Sequence, residues 1–578
     1  MRFLALACDY DGTIAHHGVV SPETIAALKR VKESGRFLLL VTGRELPELM
    51  ATFPEVDLFD WIVAENGALL YQPSTKTEKV LGKLPPSDFF RELEKRDVHP
   101  LSKGRVIVAT WEPHEIAVLE AIRELGLELQ VIFNKGAVMV LPAGINKAGG
   151  LQAVLKEMGL SVHNVVGIGD AENDHAFLSL CECSVAVDNA LPKVKERVDI
   201  VTQSDHGKGV EEFIDELLVT DLADREERLQ RHHLLLGTTE REEKVYLPPH
   251  GINVLITGTS GAGKSTLTTG FMERLVDQAY QFCIIDPEGD YEGFEGAIML
   301  GDGKKGPGKG EALQVLQLAG ENAIVNMVGM PLQDRPGFFL DFAGKLKELR
   351  RSTGRPHWII VDEAHHMLPG PWDFNTIPFP KGLKGMFYIT LLPNALPPPI
   401  LSTIDVVIAV GEKPHVTIKE FCKMIDAVPP KMQQIDKLEQ GTVMLWRRDK
   451  DASPVRVMLP PNRTERRRHS RKYAEGELSP ERSFYFRGAD GKLNIRAQNL
   501  ILFTQIGEGI DDETWMHHLR QGDFSRWFRG QIKDELLAEE VEPIEQNTEI
   551  TAEESRKQIR AAVEMHYTLP EKAEAPKE

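Results

Sequence analysis

Two short stretches of this chain carry residue types and spacings suited to phosphoryl chemistry. One is Gly258-Thr259-Ser260-Gly261-Ala262-Gly263-Lys264-Ser265-Thr266, which fits G-x-x-x-x-G-K-[ST]. In such a loop the glycines let successive main-chain N–H groups converge on an anion at a helix N-terminus. Lys264 would reach the β- and γ-phosphates of ATP, and the Ser265 hydroxyl would ligate Mg²⁺. The other is Asp9-Tyr10-Asp11-Gly12-Thr13. Its two carboxylates stand two residues apart at the end of an apolar run, so one can attack phosphorus while the second protonates the leaving oxygen.

Each stretch has partners further along. After the glycine loop, Trp358-Ile359-Ile360-Val361 is an apolar strand that ends in Asp362-Glu363. Asp362 would hold the Mg²⁺ shell, and Glu363 would orient and deprotonate the attacking water. On the N-terminal side, strand Phe37–Val41 ends in Thr42-Gly43-Arg44, and strand Trp61–Ala64 leads into Glu65-Asn66-Gly67-Ala68. A hydroxyl and free N–H groups at a strand end suit a phosphate oxygen. Further on, Lys147 opens a helix, and strand Val165–Ile168 ends in Gly169-Asp170-Ala171-Glu172-Asn173-Asp174. Carboxylates clustered beside a phosphate site imply Mg²⁺, which prefers hard oxygen ligands.

The elements that must position these residues are strands alternating with helices. The chain reads as α/β, with two doubly wound units whose sites lie at the carboxyl ends of parallel strands. Its 578 residues call for several domains. We expect a first domain over 1–220 with a small α/β lid at about 72–142. In that lid Asp88–Arg96 and His114–Leu125 read as helices, and Arg105–Ala109, Glu128–Phe133 and Ala137–Leu141 as strands. Residues 221–245 are dense in charge at helical spacing and read as a solvated linker helix, on which the adjacent His232 and His233 would face different directions. A second domain follows over 246–460, then a basic linker over 461–482 with Arg463, Arg466, Arg467 and Arg468. Residues 483–578 read as a small, mainly helical domain with an aromatic core and an acidic tail, mobile at its end.

The first set of motifs, DYDGT, VTGR, ENGA, INKAGG and GDAEND, resembles haloacid dehalogenase-superfamily phosphatases of the type IIB, Cof/sucrose-phosphatase kind, over about 1–215. The resemblance implies a Rossmann-like core with a cap, and a nucleophile at Asp9 that becomes an aspartyl-phosphate. It implies a general acid/base at Asp11 and phosphoryl-holding groups at Thr42, Gly43 and Lys147. It places Mg²⁺ on Asp9, the Asp11 carbonyl and Asp170, supported by Asn173 and Asp174. The substrate would be a small phosphorylated compound chosen by the lid, with Arg105, Trp111, His114 and Lys135 as candidate contacts.

The second set, YLPPHGINVLITGTSGAGKST, IDPEGDY and WIIVDEAH, resembles HerA/FtsK-type P-loop ATPases with a DUF87-like central domain, over about 245–415. That implies a RecA-like fold, ATP and Mg²⁺, and a homo-oligomeric ring. Such proteins usually carry a polar sensor after the strand Met386–Leu391, whereas the equivalent places here are Leu391 and Leu392. Arg350, Arg351 and Arg355 are candidates for an interface arginine finger from position alone. Two further readings follow: a DNA-translocating ring with an accessory phosphatase, and ATP binding that only scaffolds an oligomer.

Composition bounds these readings. A hydrophobic fraction of 42% with 27% charge is that of a folded chain rather than a disordered one. A net charge of −19 opposes general attraction to nucleic acid and leaves only a local basic groove. The five cysteines are scattered without zinc spacing, which fits a reducing cytoplasm. The N-terminus turns acidic too soon for a signal peptide, and no stretch approaches the roughly 20 apolar residues of a membrane span.

Overall fold

The computed structural model describes residues 1–566 except 227, 260, 369–381, 449, 464–477, 479, 481, 489–492 and 533. The N-terminal sheet contains β1 (Ala5–Cys8), β2 (Phe37–Val41), β3 (Trp61–Ala64), β4 (Leu69–Gln72) and β5 (Thr77–Val80). A four-stranded lid sheet follows, made of β6 (Ser102–Lys103), β7 (Val108–Trp111), β8 (Leu129–Asn134) and β9 (Ala137–Pro142). The chain then re-enters the first sheet as β10 (Val165–Gly169), β11 (Cys183–Ala186) and β12 (Ile200–Val201). The order across that sheet is β12-β11-β10-β1-β2-β3-β4-β5. Strands β12 to β3 pair in parallel, with Ala5 opposite both Val165 and Phe37.

Side chains alternate between the faces of a strand, and both faces here are covered, so β1 and β2 read as unbroken apolar runs. Leu6, Cys8, Leu38 and Leu40 pack on one side with Leu28 and Val31 of helix Pro22–Glu33 and Phe213 of helix His206–Thr220. Ala5, Ala7, Leu39 and Val41 pack on the other with Leu151, Val154 and Leu155 of helix Lys147–Met158. The lid sheet, ordered β6-β7-β9-β8, packs helices Ser87–Lys95 and Glu115–Glu124 on one face. Its other face turns Ile107, Met139 and Leu141 toward Ala68 of the core.

The expected strand Arg105–Ala109 is displaced to Val108–Trp111. The cause is Glu65, whose buried carboxylate accepts the main-chain N–H groups of Arg105, Val106 and Ile107 at 2.8, 2.8 and 3.0 Å. Those donors are therefore not free for a strand partner.

The linker helix expected over 221–245 is not formed. Among the described residues there, one short turn, Ala223–Arg225, precedes an antiparallel pair, β13 (Leu234–Thr238) and β14 (Lys244–Leu247). Leu234, Leu236, Val245 and Leu247 point into the core of the second sheet, and burying them outweighs the helical spacing of the charges. That sheet continues with β15 (Val254–Gly258), β16 (Phe282–Asp286), β17 (Ile298–Leu300), β18 (Ala323–Asn326), β19 (Trp358–Val361), β20 (Met386–Thr390), β21 (Val406–Val410), β22 (Thr442–Arg447) and β23 (Val455–Met458). Its order is β14-β13-β23-β22-β21-β15-β20-β19-β16-β18-β17, parallel from β21 to β17. Strand β20 thus lies between the strand that feeds the glycine loop and the strand that ends in Asp362.

The C-terminal part is a hairpin, β24 (Phe484–Phe486) and β25 (Ile495–Ala497), under helices Leu500–Gly509, Asp512–Gln521, Asp523–Trp527, Glu535–Gln546 and Ala552–His566. Phe484, Phe503, Trp515, Phe524 and Trp527 form its aromatic core. The stretch expected as an acidic tail instead holds most of helix Glu535–Gln546 and all of helix Ala552–His566, and residues 567–578 lie outside the described residues. No helix among the described residues is long and apolar enough to cross a membrane.

Candidate active sites

Three neighbouring strands bring the first site together. Asp9 follows β1, Thr42 follows β2 and Asp170 follows β10, all at carboxyl ends of adjacent parallel strands. Lys147 is the first residue of its helix, which Asn146 caps by accepting the Gly149 N–H at 2.9 Å. Its ammonium, buried with only 1% of its side chain exposed, donates to Asp9 Oδ1 at 2.5 Å and Asp174 Oδ1 at 2.6 Å. The Thr13 hydroxyl lies 3.1 Å from Asp9 Oδ2 and 3.3 Å from Asp170 Oδ1. Oxygens of Asp9, Asp170 and Asp174 lie within 4.8 Å of one another.

Burial sets the electrostatics. Desolvation, then the charges of Asp174 and Asp170, push the Asp9 carboxyl up to about 8, against the pull of Lys147. The Lys147 ammonium is held above its ordinary value because Asp174 and Asp9 outweigh the cost of burying it. Burial and Asp174 likewise raise Asp170. Crowded carboxylates raised in this way are the donor set that a hard dication satisfies, so the residues present fit Mg²⁺. Within the set Asp174 is already engaged: its Oδ2 accepts the N–H groups of Asp170 and Ala171, both at 2.9 Å. It shapes the loop that carries Asp170.

Asp11 stands apart from this cluster. Arg44 clasps its carboxylate through Nε at 2.6 Å and a terminal nitrogen at 2.8 Å. Thr42 is buried, and its hydroxyl accepts the Arg44 N–H at 3.1 Å. Asn173 donates to Asn66 at 3.1 Å, beside Gly43. Gly12 has φ +87°, and a Cβ there would fall 2.4 Å from both Asp170 Oδ2 and Lys135 Nζ, so the loop admits no side chain.

Of the four lid candidates, the described structure brings Lys135 to the site. It forms the tight turn between β8 and β9 at φ +49°, and its ammonium meets Asp170 Oδ2 at 2.5 Å and the Asp11 carbonyl at 3.5 Å. Arg105 pairs with Glu78, His114 meets the His99 carbonyl, and the Trp111 side chain is exposed. The spacing of motifs singled out neither Glu65, which ties the lid to the core, nor Arg44 as the partner of Asp11. Both are second roles of residues inside quoted motifs, visible only through contacts remote in sequence.

The second site forms where β15 runs into the glycine loop and helix Lys264–Asp277. Gly258, at φ +156°, has no room for a Cβ, which would meet the Val410 carbonyl at 2.2 Å. Lys264 Nζ donates to the carbonyls of Gly258 and Thr259 at 2.8 and 3.0 Å. Ser265 Oγ lies 3.5 Å from Asp290 Oδ2. Gly261, Ala262, Gly263 and Thr266 continue the loop and first turn, while Ser260 lies outside the described residues. Burial, then Asp290, Asp286 and Glu363, hold the Asp362 carboxyl well above its ordinary range, and this acidic pocket beside Ser265 also fits Mg²⁺.

Leu391 and Leu392 are partly exposed, and the Leu391 carbonyl accepts the Gly258 N–H at 3.1 Å. The polar group at that strand end is instead Thr390, buried between the two site strands. Its hydroxyl lies 3.3 Å from His365 Nδ1, which is 3.4 Å from Glu363 Oε2. Of the arginine-finger candidates, Arg350 is bound to the carbonyls of Pro356, Lys384 and His357. Arg355 is fully buried on Gln281 and the carbonyls of Leu316, Gln317 and Gly159. Neither projects outward, whereas Arg351 is exposed. In the basic stretch Arg463 pairs with Asp277, and 464–472 lie outside the described residues. All five cysteines are free and buried.

Comparison with known proteins finds similarity in both modules. A family model described as haloacid dehalogenase-like hydrolase matches residues 6–101 and 106–214. A second, described as Helicase HerA, central domain, matches residues 233–331. A phosphoglycolate phosphatase of Methanothermobacter thermautotrophicus is 32% identical over 219 residues, covering 36% of this chain and 96% of that protein. Phosphoglycolate phosphatase 2 of Saccharolobus solfataricus is 30% identical, covering 37% of this chain and 92% of that protein. Among solved structures, a haloacid dehalogenase-like hydrolase from Bacteroides thetaiotaomicron is 19% identical with a TM-score of 0.33, covering 37% of this chain and 99% of that one. Through its N-terminal module the chain belongs to the haloacid dehalogenase-like hydrolases, a phosphatase here joined to a HerA-type P-loop region.

Proposed function

We propose that the protein is a Mg²⁺-dependent phosphatase of small anionic phosphomonoesters, carried on a module that binds and hydrolyses ATP. The observation that carries the first half is the buried Lys147 ammonium between Asp9 and Asp174, with Thr13 joining Asp9 to Asp170. It holds one carboxylate oxygen at the end of β1 in a fixed direction. In this reading Asp9 attacks phosphorus, and the leaving alkoxide takes a proton from Asp11. Water deprotonated by Asp11 then cleaves the aspartyl-phosphate and frees Asp9. Thr42, Gly43, Lys147 and Asn173 hold the phosphoryl oxygens. Mg²⁺, on Asp9, Asp170 and the Asp11 carbonyl, would neutralise charge on the transferring group.

Lys135 supports a substrate with a second negative charge close to the phosphate. It is the lid cation that reaches the cluster, and the similar proteins are named for phosphoglycolate, a phosphorylated carboxylic acid. The reading predicts that Asp9→Asn abolishes Mg²⁺-dependent phosphate release. Lys135→Ala should raise KM about tenfold for 2-phosphoglycolate and much less for an uncharged aryl phosphate. An equal effect on both substrates would remove Lys135 from substrate selection.

For the second module we propose ATP on the loop from Gly258 to Thr266, Mg²⁺ at Ser265 and Asp362, and Glu363 as the base. Thr390 and His365 support the position of Glu363. The similarity to the HerA central domain favours a homo-oligomeric ring, and a second reading in which the ring acts on nucleic acid. DNA-stimulated ATP turnover that vanishes in Lys264→Ala would support that second reading, and a monomer indifferent to DNA would remove it.

A further inference from the structure

An acid that protonates the leaving oxygen must reach it. Yet the Asp11 carboxylate is turned away from Asp9, Asp170 and Asp174 and toward Arg44. Arg44 Nε donates to Asp11 Oδ2 at 2.6 Å and Nη2 to Oδ1 at 2.8 Å, so both oxygens are engaged.

Of the two partners, Arg44 is the fixed one. Its Nη1 donates to Glu48 Oε1 at 2.7 Å and to Thr52 Oγ1 at 3.4 Å, and its guanidinium lies over the Tyr10 ring, 5.3 Å from the centroid. Its main chain is tied on both sides: the N–H donates to Thr42 Oγ1 at 3.1 Å, and the carbonyl accepts the Glu65 N–H at 2.9 Å. Among the described residues the Asp11 carboxylate bonds to Arg44 alone. Its side chain is 42% exposed against 19% for Arg44, and Gly12 follows it at φ +87°. Asp11 can therefore swing away and leave Arg44 in place as a preformed fork.

A guanidinium has five N–H groups, and Glu48, Thr52 and Asp11 engage four of them. Another carboxylate can be gripped by the same two prongs only if Asp11 lets go. In a phosphate ester of an α-hydroxy acid, the carboxylate is bonded to the carbon that carries the bridging oxygen. A side chain that protonates that oxygen works beside that carboxylate, and like charges so close need a cation between them. Arg44 is the cation already on the Asp11 carboxylate, and Lys135 reaches the same residue from the lid, 3.5 Å from the Asp11 carbonyl.

We propose that Arg44 binds the carboxylate of the substrate, and that this displaces Asp11 from the guanidinium to the position from which it protonates the bridging oxygen. The inference rests on the phosphatase reading above. It adds a substrate class, phosphate esters of α-hydroxy acids, and a reason why esters without the carboxylate react poorly: they leave Asp11 on Arg44. The step exchanges ion pairs and changes no covalent bond; the proton transfer that follows is the one already given.

The test measures phosphate release by the full chain, with Mg²⁺, from three esters. These are 2-phosphoglycolate, 3-phosphoglycerate, whose carboxylate lies one carbon further from the bridging oxygen, and 2-hydroxyethyl phosphate, which has no carboxylate. The wild type should prefer 2-phosphoglycolate to both others by about 100-fold in kcat/KM. Arg44→Gln should remove most of that preference, chiefly through a KM for 2-phosphoglycolate raised about 100-fold. Arg44→Lys keeps the charge without the fork and should recover part of it. Circular dichroism establishes that the variants are folded; if Arg44→Gln is not, Arg44→Lys carries the test with a preference lowered about tenfold. A preference left intact while all three esters slow alike would make Arg44 a positioning residue for Asp11 only and overturn the proposal. A wild type that does not prefer 2-phosphoglycolate would overturn it too. Asp9→Asn, run alongside, separates the two readings: full release by that variant faults the phosphatase reading, whereas its loss together with an intact preference in Arg44→Gln faults this inference alone.

Discussion

At the scale of single residues, the first site depends on charge compensation in a dry pocket. Lys147 is buried against two carboxylates, and removing one partner of such a set leaves uncompensated charge, typically costing about 3–5 kcal/mol. Lys147→Ala should therefore abolish phosphatase activity and also lower the melting temperature of the N-terminal module. Calorimetry beside an activity assay checks both, and an unchanged melting temperature would place Lys147 outside the compensating set. Gly12→Ala should lose activity as well, because its Cβ would collide with Asp170 and Lys135. The motifs could be read because each is contiguous and sits at the end of a strand or the start of a helix. Arg44 on Asp11 and Thr390 beside His365 were not, because each contact joins residues on different elements.

At the scale of elements, Glu65 fastens the lid. Hydrogen bonds to a charged acceptor contribute roughly 1.5–3 kcal/mol each, and Glu65 accepts three from the segment that enters the lid sheet. Glu65→Gln should loosen Gly104–Ile107, seen as faster hydrogen exchange there, and should raise KM more than it lowers kcat. Exchange that matched the wild type would show that other contacts hold the lid. The buried parallel strands of both sheets could be read from their apolar runs, since both faces are covered. The pair β13–β14 could not, because its sheet partner β23 follows some 200 residues later and local charge spacing favoured a helix.

At the scale of the whole molecule, the junction between the hydrolase and P-loop modules should respond to pH independently of either active site. Burial, then the neighbouring His163 and His250, keep His357 neutral and well below its ordinary value, while its Nδ1 accepts the Gln281 N–H at 2.9 Å. An unfolded chain takes up that proton near pH 6.5, whereas the folded chain takes it up only at lower pH. Stability is then complete above about pH 6.5 and falls below it by up to about 1.4 kcal/mol per pH unit for each such proton. Thermal unfolding followed from pH 8 to 5 should show this loss, and His357→Gln should reduce its slope.

The central claim is that Asp9 is the nucleophile of a phosphatase whose chemistry does not need the ATP site. The most direct measurement is phosphate release from a phosphomonoester panel, with Mg²⁺ present, by the wild type, Asp9→Asn and Lys264→Ala. The account predicts release by the wild type and by Lys264→Ala, and background levels for Asp9→Asn. Undiminished release by a folded Asp9→Asn protein would contradict it.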